Sequence, residues 1–269
     1  MQLSIVNEST RISPHERGFL YGDGFFTTVR VANHKLVFWD DHKARIQMSA
    51  QQLLFKDIDL SLVESSLKSL PKNAIVKIVF SRGVGERGYA IPQNSETGCW
   101  IFISPCRLDI TAEPITLSVG FCQTPISVNT KLCGVKHLNR LDQVLARSEI
   151  LAKGFDDGLL SDNFGSIICA TQANIFIRED NVVSTPKLSS SGVAGVMRKN
   201  IMRWLAEEGI DVQETELSKA QCTTADEVFL TNCVKGIMAV SMLDEHTVKQ
   251  MDCASRMHRR FFNLLNGSL

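Results

Sequence analysis

The chain has 269 residues, and its 29 Lys plus Arg balance 29 Asp plus Glu, so the formal charge is zero. That balance excludes a surface built to attract nucleic acid or an anionic membrane through bulk charge. With 44% hydrophobic and 22% charged residues the composition is that of a folded globular protein, not a disordered or fibrous one, and the length suits two modest domains.

The opening MQLSIVNESTR has no basic run followed by an apolar stretch, and no later apolar run nears the roughly 18 residues of a spanning helix. A cytosolic protein is expected. Its eight Cys (99, 106, 122, 133, 169, 222, 233, 253) come no nearer than seven apart, which provides neither a C-x-x-C motif nor a disulfide scaffold. They read as reduced, small apolar residues. The six His (15, 34, 42, 137, 246, 258) lack H-x-x-x-H or H-E-x-x-H spacing, so no metal is expected.

Along the chain, residues 25–39 alternate branched and aromatic side chains about Asn33, which predicts a strand hairpin. In its first strand Phe26 and Thr28 face one side, Thr27 and Val29 the other. Asp40 and Asp41 are placed to cap a helix whose Ile46, Ala50, Leu53 and Leu54 recur at helical spacing. Asp59 to Leu70 reads as a second amphipathic helix, and Asn73 to Phe80 as a partly buried strand. The segment SRGVGERGY at 81–89 combines three Gly with three ionised side chains and no apolar period, which predicts a mobile cationic loop. Strand character at 100–104 and again at 115–119 brackets a polar, Pro-containing connection. The reading places a smaller N-terminal domain at 1–106, a linker at 107–114 and a larger C-terminal domain at 115–269. In the latter a helix is expected across 138–152, short strands near 157–160, 166–170 and 173–177, and a helix opened by SSGVAGVMRKN at 190–200. Strands from Glu227 to Thr231 and from Ile237 to Val240 precede a terminal helix. No internal repeat is present, and the fold class is α+β, without the regular alternation of a doubly wound sheet.

Two segments stand out chemically. CGVKHLNRLDQVLAR at 133–147 sets Lys136 just before a helix, beside His137, Asn139 and Arg140. A surface Lys is ordinarily a solvated cation, whereas desolvation and neighbouring cations turn it into an amine able to form a Schiff base near neutral pH. Gly192-Val-Ala-Gly195-Val-Met-Arg198 opens a helix whose free amides and dipole form an anion site, with Gly195 leaving room for a phosphate. YGDGFFTTVRV at 21–31, taken alone, shows only β propensity.

Taken in this order, YGDGFFTT, SRGVGERGY, GVKHLNRLDQVLAR and GVMR resemble the fold type IV pyridoxal phosphate enzymes, the class IV aminotransferase family, over essentially the whole chain. The resemblance implies two mixed α/β domains of D-amino acid aminotransferase-like architecture with pyridoxal 5'-phosphate between them, in a homodimer. It implies that Lys136 holds the cofactor covalently. Arg45, in HKARI, and the backbone of Val196 and Met197 match the family's phosphate ligands, and Asn232 with Cys233, in FLTNC, match a second phosphate loop. One guanidinium plus several amides suits a dianion.

One position departs from the pattern. Five residues before the Asn of the N-x-F strand the family usually carries a Glu that keeps the pyridine nitrogen protonated. Here that residue is Cys169, a weak donor and acceptor. Transamination, which relies on a strong electron sink, should suffer more than elimination. The resemblance accordingly implies a carbon–oxygen lyase that converts 4-amino-4-deoxychorismate to 4-aminobenzoate and pyruvate, a step toward folate. Thr28 is then the proton donor to the leaving group, and Arg87 and Arg107 bind the substrate carboxylates. The alternatives are an aminotransferase for branched-chain or D-amino acids and a non-catalytic cofactor-binding relative.

Overall fold

A computed structural model of the chain describes residues 1–56 and 58–267. They form two units, Met1–Arg107 with Val135–Asn139, and Leu108–Gly134 with Arg140–Leu269. Lys136, which the sequence reading grouped with the C-terminal domain, thus keeps its contacts in the first unit.

The first unit contains β1 (Gln2–Ile5), α1 (Arg17–Tyr21), β2 (Gly24–Ala32), β3 (Lys35–Leu36), α2 (Trp39–Gln52), α3 (Leu60–Ser66), β4 (Asn73–Ser81) and β5 (Gly98–Pro105). Its sheet runs β1-β5-β4-β2-β3, with β1 parallel to β5 and the other pairs antiparallel. The period-2 pattern of β2 decides which face is buried. Phe25, Val29 and Val31 join Val76, Ile78, Phe80 and Ile101 in a core closed by Ile46 and Ala50 of α2 and Val63 of α3. Phe26 and Thr28 stay half-exposed on the opposite face, as their alternation required. Asn33 and His34 take φ of 50° and 65°, the left-handed pair that a two-residue hairpin turn demands. Asp40 and Asp41 do not cap α2. The N-cap is Phe38, without a side-chain hydrogen bond, and the two carboxylates lie in the first turn, where they complement the helix dipole.

The second unit contains β6 (Ile115–Phe121), α4 (Leu141–Ala152), β7 (Asp157–Ser161), β8 (Ile167–Ala170), β9 (Asn174–Glu179), β10 (Val182–Pro186), α5 (Val196–Glu207), β11 (Asp211–Thr215), α6 (Lys219–Thr224), β12 (Glu227–Asn232), β13 (Gly236–Leu243), β14 (His246–Thr247) and α7 (Asp252–Leu265). Its sheet runs β11-β10-β9-β12-β13-β6-β7-β8, with β14 added to β13. The middle strands read as continuous apolar runs because they are buried on both faces, α7 packing on β13 and α5 on β12.

The expected helix at 138–152 begins only at Leu141. The residues before it are extended because β2 claims them. Phe26 N donates to Lys136 O at 2.9 Å, Leu138 N donates to Gly24 O at 3.0 Å, and Phe25 bridges to His137. Among the described residues no helix is long and apolar enough to cross a membrane.

Candidate active site

Lys136 is positioned by backbone pairing, not by a helix start. Gly134, at φ 80°, donates its N–H to Gly192 O at 3.1 Å, and the next five residues run along β2. Val135 is buried in the first core, so the neighbouring Lys136 is turned to the other side. The half-buried Lys136 lays Nζ 4.8 Å from the centroid of the Phe26 ring, whose face attracts the ammonium. Lys77 Nζ is also 4.8 Å from that ring, and Lys77 stands opposite Thr28 in the β2–β4 register. Lys136, Phe26, Thr28 and Lys77 therefore gather on the half-exposed face of the first sheet. Lys77 was invisible in the sequence because only strand register sets it against Thr28.

Arg45 projects from α2 on the opposite side of β2. Its Nη2 donates to Thr27 Oγ1, and Thr27 Oγ1 lies 2.6 Å from Nδ1 of His42, one helical turn before Arg45. Thr27 and His42 are both fully buried. Burial, assisted by the Arg45 charge and opposed by Asp41, lowers the His42 pKa from 6.5 to about 3. The imidazole is neutral at pH 7.

The segment 81–89 is anchored by side chains at both ends, and part of its positive charge is paired. Arg82 is buried, pairs with Asp23 at 3.1 Å, donates to the carbonyls of Leu53 and Leu54, and stacks over Phe55 at 3.8 Å. Asp23 also takes Arg17 Nε at 2.9 Å, and Arg17 reaches Gly88 O. One carboxylate of the YGDG turn thereby ties down both ends of the loop and offsets much of its charge. A Cβ at Gly83, where φ is 87°, would fall 2.0 Å from Glu96 O, so glycine is required there. Arg87 remains exposed on the loop, as does Arg107 at the end of the first unit.

In the second unit Gly195 is the N-cap of α5, with no side-chain hydrogen bond to the first turn. The backbone amides of Val196 and Met197 belong to the orphan donors of a helix start, and both side chains are buried. The space beside Gly195 is filled by protein. A Cβ there would lie 2.0 Å from Asn174 Oδ1, while Asn174 Nδ2 donates to Val193 O at 3.0 Å. Glycine lets the N-x-F asparagine press on the helix entrance, a different use from the room for phosphate read in the sequence. Asn232 ends β12, its Oδ1 accepting from Val234 and Lys235 at 2.9 and 2.8 Å, so the side chain shapes the turn that presents Cys233. Cys169 lies on β8, packed with Ile126, Ala146, Leu160 and Ile168. Arg140 is electrostatically coupled to it and to Asp142, and burial lowers the guanidinium pKa from its usual value.

The amino-transferase class IV family profile matches residues 24–243, a span that includes Thr28, Arg45, Lys136, Cys169, Val196, Met197, Asn232 and Cys233. The chain belongs to the class IV aminotransferase family. Aminodeoxychorismate lyase of Vibrio harveyi is 34% identical over 240 residues, 86% of this chain and 87% of that protein. The crystal structure of 4-amino-4-deoxychorismate lyase from Pseudomonas aeruginosa is 30% identical, with a TM-score of 0.83 over 98% of this chain and 97% of that one. The Escherichia coli branched-chain amino acid aminotransferase aligns at TM-score 0.86 with 23% identity, covering 97% and 91%. The higher score at lower identity means that this class IV fold does not itself select lyase over aminotransferase chemistry.

Proposed function

We propose that this class IV protein releases 4-aminobenzoate and pyruvate from 4-amino-4-deoxychorismate, the substrate named by its relatives in Vibrio harveyi and Pseudomonas aeruginosa. Proteins of this family depend on pyridoxal phosphate. The cofactor supplies an electron-withdrawing ring that acidifies the carbon bearing the substrate amine. Each unit by itself carries donors of the kind such a cofactor takes: an amine on Lys136 and a guanidinium fixed at Arg45 in the first, and an uncapped helix start at Val196 and Met197 in the second. The turn at Asn232 and Cys233, the second phosphate loop of the resemblance, is held in shape by Asn232 Oδ1, which accepts from the Val234 and Lys235 amides.

The observation that carries the reading is the shared sheet face of Lys136 and Thr28. Lys136 Nζ removes the proton from the carbon bearing nitrogen. The Thr28 hydroxyl gives its proton to the departing ether oxygen, and aromatisation of the ring makes the step downhill. Arg87 and Arg107 are exposed cations free to meet the two substrate carboxylates. Cys169, in place of a carboxylate, disfavours the competing transamination of branched-chain or D-amino acids. No two of the eight cysteines are joined, which suits a reducing cytosol. A homodimer is supported by α4, where Leu141, Val144 and Leu145 form an exposed apolar stripe.

Borohydride reduction of the purified protein followed by peptide mapping should label Lys136, and pyruvate should appear on adding aminodeoxychorismate. Labelling at Lys131 or Lys199, or amino-group exchange with keto acids at a rate above pyruvate release, would overturn the assignment.

A further inference from the structure

Arg45 is held from the side away from solvent by two buried groups that the reaction does not use. Thr27 Oγ1 has one proton and two lone pairs. It accepts from Arg45 Nη2 and lies 2.6 Å from His42 Nδ1. The arrangement that gives the Thr27 proton a partner is donation to Nδ1, which places the imidazole proton on Nε2. Nε2 is buried without a hydrogen-bond partner. An orphaned buried N–H is costly, so the fold keeps this orientation at the expense of local stability. With its proton committed to His42, Thr27 turns its lone pairs to the guanidinium. The charge of Arg45, on the same helix face one turn away, further keeps His42 from becoming a donor.

We infer that Thr27 and His42 are positioning residues: a His42–Thr27 hydrogen-bond chain on the buried face of β2 and α2 fixes the Arg45 guanidinium in advance for a phosphate monoester dianion. The inference rests on the reading of Arg45 as a phosphate ligand. Arg side chains lose rotamer freedom when they are fixed, so a guanidinium ordered beforehand binds its anion more tightly than a free one.

The full-length protein, resolved of cofactor and retitrated by absorbance, tests this with two ligands, pyridoxal 5'-phosphate and pyridoxal, which lacks the phosphate. Thr27→Val and His42→Leu should each weaken pyridoxal 5'-phosphate about tenfold and leave pyridoxal nearly unchanged. Thr27→Ser restores the hydroxyl and His42→Asn restores an acceptor in the place of Nδ1, so both should bind close to wild type. In an Arg45→Gln background Thr27→Val should cost nothing further, since its effect travels through Arg45. Wild-type affinity in Thr27→Val and His42→Leu, with affinity lost in Arg45→Gln, overturns the positioning role and leaves Arg45 as the phosphate ligand. Equal losses for both ligands overturn it too, because a merely structural defect does not sense the phosphate. Undiminished affinity in Arg45→Gln instead removes the reading beneath it. Thermal melting identifies a variant that fails to fold. If Thr27→Val does so, the contrast between His42→Leu and His42→Asn decides.

Discussion

Burial lowers the His42 pKa from 6.5 to about 3, so between those values the unfolded chain binds a proton that the folded chain refuses. Stability therefore rises with pH across this window, and the contribution is lost as pH falls from about 6.5 toward 3. From pH 7 to pH 5 the loss is about 2 kcal/mol. Urea unfolding at the two pH values should show that difference in the wild type and a much smaller one in His42→Asn; parallel losses would contradict a neutral buried imidazole. Cys169 supports a second prediction. A Glu at this position would find the Arg140 charge nearby and would favour protonation of a pyridine nitrogen, so Cys169→Glu should raise side transamination more than pyruvate release. The introduced volume and charge can unfold the apolar cluster around β8, so melting and cofactor absorbance come first. A lyase rate that climbs by orders of magnitude while transamination stays flat would identify Cys169 as an impairment. Cys169 and Arg45 could be singled out in the sequence because short motifs frame them. Thr27 with His42, and Asp23 with Arg17 and Arg82, could not, since those partnerships depend on which strand face meets which helix.

Among the elements, β2, β4 and the hairpin turn were readable from period-2 alternation and Asn33. The two helix starts with chemical interest were misplaced for tertiary reasons. Residues 138–140 carry helical spacing, but pairing of 136–138 with β2 holds the chain extended until Leu141. At α5 the Gly-rich run hid the true first residue, Val196, and the use of Gly195. Because a Cβ at Gly195 would lie 2.0 Å from Asn174 Oδ1, Gly195→Ala should cost about 1–3 kcal/mol through overpacking. Asn174→Ala should relieve most of that cost, making the pair strongly non-additive in a urea double-mutant cycle. Additive costs would show that the strain lies elsewhere than in the carboxamide.

At the scale of the whole molecule, composition indicated a protein of two folded units without showing how the chain is shared between them. The five residues 135–139 group with the first unit although both flanking segments belong to the second, an exchange that no local signal encodes. The surface that remains uncovered is more informative. Leu141, Val144 and Leu145 are 73%, 58% and 59% exposed at spacings of three and four, on the face of α4 opposite the buried Ala146 and Ile150. Fully burying a Leu or Val contributes about 1.5–3 kcal/mol, so a second copy covering this stripe gains far more than a rim of scattered side chains would. The wild type should therefore sediment at twice the chain mass. Leu141→Lys combined with Leu145→Lys should yield a monomer, because two like charges would have to be desolvated in each half of a twofold contact. Both positions are already solvated in the isolated chain, so the monomer should keep its secondary structure and melt cooperatively. A wild type that sediments as a monomer, or a double variant that still dimerises, would place the partner surface away from α4.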